Sequence, residues 1–175
     1  MTAATATEAL DAADMEKLPT CGWIVGRSDG TFEGPFAEFG PGLIEADLLH
    51  CLEPVFDPLE EVGEVYDIIA WERGKPSPWW THRGIVTVIG ERELRQAVWE
   101  QRPARMLATP ADYVSAHGAG FVIIDWSADI NRIIGEAAAI ECATPALAER
   151  LSKMLVAQAM PRLAITSRHD LRRAA

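Results

Sequence analysis

Cysteine is scarce and scattered in this 175-residue chain. Cys21, Cys51 and Cys142 lie far apart, with no Cys-x-x-Cys pair and no closely spaced Cys/His set. That arrangement signals neither a disulfide framework nor a zinc module, and it fits a reducing compartment. Basic residues are nearly missing from the first half. Residues 1–80 hold 16 acids against 4 bases, a net of −12, whereas residues 81–175 hold 10 acids against 12 bases, a net of +2. A chain of overall charge −10 is not built to neutralise many phosphates, so nucleic acid is not an expected partner. No apolar run approaches the roughly 18 residues of a membrane span. The start, Met1 to Glu8, lacks the basic residues and apolar centre of a signal peptide. The expectation is a cytoplasmic protein without membrane contact.

Several catalytic signatures are missing as well. Neither Gly-x-Gly-x-x-Gly nor the Walker pattern occurs, and Gly118-Ala-Gly120 precedes an apolar run where a dinucleotide loop would follow one. Ser115, Ser127, Ser152 and Ser167 lack the Gly-x-Ser-x-Gly setting of a nucleophile elbow. His50, His82, His117 and His169 are dispersed with no identifiable partner.

What is present is enough apolar residue, 49%, to bury one ordinary core. Residues 1–18 read as a flexible segment or a helix over about 6–17, since Thr5 and Glu8 have capping-box spacing and Pro19 ends it. Asp29-Gly30, between Gly22–Gly26 and Thr31-Phe32, predicts a hairpin. Residues 33–42 read as a loop pinned by aromatic side chains. Apolar residues at 43, 44, 48, 49 and 52 predict a short amphipathic helix. Glu53–Glu64 reads as a solvated acidic connector, and Val65–Trp71 as a strand. From Ile85 onward, strand-like runs at 85–89, 104–108, 121–126, 137–142 and 162–166 alternate with helix-like segments. Thr109-Pro110 and Thr144-Pro145 supply two helix starts. This order predicts an α/β fold: a small, Rossmann-like parallel sheet from about residue 85 with helices on its faces, preceded by an irregular acidic portion with a β-hairpin. The implied divisions are 1–18, an acidic portion 19–84, an α/β core 85–167 and a basic tail 168–175.

Parallel sheets bind ligands beyond the carboxyl ends of their strands. There the sequence offers Glu91 and Glu93, then Asp125 and Asp129, which could gather around Mg²⁺. The competing reading is that Asp125 or Ser127 caps the next helix and that the glutamates complement a helix dipole. Val86-Thr-Val-Ile-Gly-Glu91 followed by Val122-Ile-Ile-Asp-Trp-Ser127 resembles the layout of Toprim domains of primases and topoisomerases. That resemblance implies a metal-dependent site at Glu91 and Asp125. The chain departs from it in two places: Glu91 follows the glycine, and Ser127 stands where a second aspartate belongs.

Trp79-Trp80-Thr81-His82-Arg83 is the most conspicuous aromatic cluster. It reads either as a wedge between the two halves or as a contact site for a protein, for which Trp and Arg are favoured. The functional expectation is a non-catalytic binding protein without a cofactor. It would contact a protein partner through the acidic half, which favours a basic one, or through Trp79, Trp80, His82 and Arg83. The alternative is a Mg²⁺-dependent, Toprim-like enzyme acting on nucleotides or phosphodiesters through Glu91, Asp125 and Asp129. It requires those carboxylates to converge.

Overall fold

A computed structural model describes residues 20–36, 42–52, 65–135 and 137–159. Its organising element is an antiparallel sheet, not a parallel one. Strands β1 (Thr20–Gly26), β2 (Phe32–Phe36), β3 (Ile44–Leu52), β4 (Val65–Glu72) and β5 (Trp79–Thr81) lie in the order β2-β1-β3-β4-β5. The sheet curls into a half-barrel. Its ends approach at a bridge between Thr31 and Thr81, where the Thr81 N–H donates to the Gly30 carbonyl at 2.9 Å. The Asp29-Gly30 turn joins β1 to β2, with the Asp29 carboxylate accepting from the Thr31 N–H at 2.9 Å.

This arrangement overturns the expected Rossmann- or Toprim-like α/β fold. The segment from 43 to 52 is a strand where a helix was expected. Ile44, Ala46 and Leu48 belong to the apolar cluster inside the curl, while Leu49 and Cys51 face the other way into a second cluster. A strand covered on both faces loses strict alternation, and its adjacent apolar residues then imitate helical spacing.

Apart from one helix of 15 residues, the C-terminal half carries short elements. The elements are β6 (Val88–Ile89), α1 (Glu91–Trp99), β7 (Ala104–Met106), α2 (Pro110–Ser115), β8 (Val122–Ile123), α3 (Ile130–Ile134), β9 (Ile140–Cys142) and α4 (Pro145–Ala159). Strands β7 and β9 pair in parallel, Met106 bridges Phe121 in parallel, but β6 runs antiparallel to β8. The run expected as a first parallel strand, 85–89, contributes two residues to a ladder. The expected fifth strand at 162–166, the helix over 6–17, the acidic connector 53–64 and the basic tail lie outside the described residues.

One cluster fastens the halves together. Leu49, Cys51, Ile69 and Trp71 from the outer face of the curled sheet pack with Val86, Ile89, Leu107, Tyr113, Val122 and Ile124. A separate cluster under α1 and α4 includes Leu94, Ala97, Met106, Phe121, Ile130, Leu147 and Leu151.

Gly90 marks the tightest backbone approach in this half. It has φ 73°, and a Cβ there would collide with the Gly120 carbonyl oxygen and the Tyr113 ring. Gly74 has a similar φ of 77° but open space around it. Gly74→Ala should therefore cost about 1 kcal/mol for the left-handed backbone alone, and Gly90→Ala about 3 kcal/mol or more because backbone must also move. Urea unfolding of the two variants checks the contrast.

Candidate functional site

The strand-end carboxylates are held apart. In the β6–β8 ladder Ile89 faces Val122 and Val88 faces Ile123. Glu91, just past β6, therefore leaves the ladder at the Gly120 side, while Asp125 lies beyond the opposite end. Five residue steps, with only Val122 and Ile123 of the intervening residues in the ladder, separate those ends, a span of up to about 16 Å. Each acid also has its own local partner. Glu91 pairs with Arg95 at 2.5 Å, and Glu93 with Arg102 at 2.7 Å. Asp125 accepts from the Ser127 N–H at 2.8 Å and its hydroxyl at 2.6 Å. The helix cap is Asp129, whose carboxylate accepts from the Arg132 N–H at 3.0 Å at the start of α3. Among the described residues no three His, Cys, Asp or Glu side chains stand together as a metal-binding group. Thr109 and Thr144 cap the helices that follow them, accepting from the Asp112 N–H at 3.1 Å and the Leu147 N–H at 3.2 Å.

The tryptophan pair sits in β5 and straddles the curled sheet. Trp79 packs on the cluster between the halves and Trp80 on the cluster inside the curl. Adjacent residues of a strand face opposite sides, so each ring is half-buried in a different core. Trp80 lies against Gly26, where an added Cβ would come within 2.5 Å of the indole. His82 and Arg83 follow at the surface. The His82 ring Nδ1 lies 3.3 Å from the Phe32 carbonyl oxygen, and Arg83 Nη1 donates to the Tyr66 carbonyl at 3.3 Å.

Beneath this corner lies Asp67 of β4, only 1% exposed. One carboxylate oxygen accepts from the N–H groups of Ile68 and Arg83, both at 2.8 Å. The other accepts from Ile85 at 2.8 Å and Val86 at 3.0 Å. Four backbone donors thus converge on one buried anion. They fix the loop on which Arg83 and Ile85 are presented, and Ile85 is 56% exposed despite its apolar side chain. The sequence reading missed Asp67. The available signal was its parity: with Ile69 and Trp71 it shares the buried face of β4, where a charge must have partners.

A second surface lies on the outer face of β1 and β2. Trp23 is paired across the sheet with Phe36 on one side and Glu45 on the other, and Val25 with Glu33. Val25 and Phe36 are exposed, and among the described residues none of the three apolar clusters includes Trp23, Val25 or Phe36. Trp99, at the end of α1, stands by itself at 88% exposure.

Few ionisable groups depart from their ordinary range. Hydrogen bonds from Gln96 and then Arg102 lower Glu100, and those to Glu100 and Glu93 raise Arg102. Burial raises the Cys142 thiol and lowers Arg150, whose guanidinium lies 3.9 Å over the Trp126 ring.

Comparison with protein-family profiles, curated proteins and solved structures found no match for this chain. Among the described residues no helix is long and apolar enough to cross a membrane.

Asp67→Asn keeps the shape but turns an NH₂ toward two backbone donors. It should cost about 2–4 kcal/mol of stability and remove hydrogen-exchange protection from the Arg83, Ile85 and Val86 amides. Denaturant unfolding together with amide exchange checks both.

Proposed function

We propose that this chain is a non-catalytic cytosolic binding protein that meets a protein partner at the corner formed by β5 and residues 82–85. The observation that supports this reading is the Asp67 anchor. A carboxylate enclosed in the core holds, through backbone hydrogen bonds, a surface loop whose Arg83 and Ile85 side chains face outward. Holding a loop in advance lowers the entropy lost on association. A cation beside an exposed apolar side chain has the chemistry of a contact centre. Trp79 and Trp80 serve this corner from behind, wedged into the two cores, so they act as its support. The separation of Glu91 from Asp125 leaves the metal-dependent reading without the convergence on which it depended.

Photo-crosslinking in the source cells tests the proposal. A benzophenone side chain at Ile85 should capture one discrete protein, and Arg83→Ala should reduce that capture at least about fivefold, the loss of a well-placed contact of about 1 kcal/mol. The same group at Val156, which is 58% exposed and remote in sequence, should capture nothing comparable. Equal capture from both positions, or none from Ile85, overturns the proposal.

A further inference from the structure

Gln158 is out of place on its helix. Leu147, Leu151, Met154, Leu155 and Gln158 follow the helical spacing of one face of α4, and Gln158 alone among them carries a polar side chain. Leu147 and Leu151 are buried, and Met154 and Leu155 pack half-buried on the same cluster. An amide half-buried on such a face is costly unless both of its ends find partners. Both do. The Ile130 N–H donates to Gln158 Oε1 at 2.8 Å, and Gln158 Nε2 donates to the Ala128 carbonyl at 2.7 Å.

These two bonds join positions 28 and 30 residues apart. They grip the backbone on either side of Asp129, whose carboxylate caps α3 through the Arg132 N–H. With five residues, α3 is too short to persist in water without support. Its support is Ile130, fully buried, with half-buried Ile133 and Ile134 in the cluster that α4 shares. The hold on α4 is uneven along its length. Its first turns are fixed by the Thr144 cap, by the bond from the Ala143 N–H to the Met106 carbonyl, by Leu147 and Leu151, and by the Arg150 guanidinium over the Trp126 ring. Past Leu155, Val156, Ala157 and Ala159 are exposed, and Gln158 is the one half-buried side chain of that end among the described residues.

We infer that Gln158 is a latch. Through it, α3 and the last turns of α4 open and close as one unit while the curled sheet stays shut. Opening uncovers Ile130, Ile133, Met154 and Leu155 of the shared cluster. Local units of this kind, with few buried contacts, open well below the free energy of global unfolding.

Native-state amide exchange on the full chain tests the latch. Gln158→Ala should speed exchange about tenfold or more at Ile133, Gly135, Leu155 and Val156, although the Ile133 and Gly135 N–H groups bond within α3, to the Asp129 and Asn131 carbonyls. Asp129→Ala, which removes the α3 cap, should in turn speed Leu155 and Val156 about fivefold, because coupling between two parts acts in both directions. That second effect should vanish once Gln158→Ala is present. The amides of Leu151, Ile69 and Val122 should keep their protection in all three variants. Faster exchange confined to the Ile130 amide overturns the inference, as does acceleration spread equally to Ile69 and Val122, or α4 amides that do not respond to Asp129→Ala.

Discussion

The buried carboxylate of Asp67 is the constraint on which the connection between the two halves depends. Placing an anion among Ile69, Trp71 and Val86 is costly unless its oxygens are fully engaged. Here that engagement comes from the N–H groups of Ile68, Arg83, Ile85 and Val86. Hydrogen bonds to an ionised acceptor are stronger than neutral ones, and three of these four donors lie 16 to 19 residues away. One side chain consequently does what a strand ladder would otherwise do. It ties the chain leaving β5 back to β4 at the point where it crosses from the curled sheet into the C-terminal half.

The same interaction explains why 85–89 is not a long strand. Backbone donors at 85 and 86 that a ladder would use are taken by Asp67, and pairing begins only at Val88. The chain then runs antiparallel to β8, which carries Glu91 and Asp125 to opposite ends of the pair. The separation of the candidate metal ligands is thus a consequence of strand direction. Composition near those residues carries no trace of direction, since Val86–Ile89 would look alike in either sense.

Local features were legible where their chemistry is local. The Asp29-Gly30 turn, the strand expected over Val65–Trp71 and found over Val65–Glu72, and the Thr-Pro helix starts each depend on a few neighbouring residues, and each stands in the structure. The architecture was not legible, because it turns on what covers each face. Leu48 and Leu49 are adjacent and both buried, one inside the curl and the other under the C-terminal half, and that double covering produced a false helical spacing. Of the candidate site residues, the alternation of Trp79 and Trp80 was readable from strand geometry, whereas Asp67 could be singled out only as a charge on the apolar side of its strand. No local pattern names the distant amides that satisfy it.

The distribution of acids bears on what the protein does. Asp67 anchors a loop, Asp125 closes a turn, Asp129 caps α3, and Glu91 and Glu93 hold arginines on or near α1. These carboxylates are thus committed to separate structural tasks, with Glu93 and Glu100 sharing Arg102, and such dispersal suits positioning more than shared ligation. On the curled sheet the balance differs. Glu33, Glu45 and Asp47 outnumber the arginines beside them, and they rim an apolar face that the described residues leave outside every core cluster. Surplus charge of one sign contributes little to holding a sheet together, because exposed ion pairs stabilise weakly. Arg27 and Arg73 take up most of it, so the described part of the curled sheet is closer to neutral than the net charge of residues 1–80 suggests.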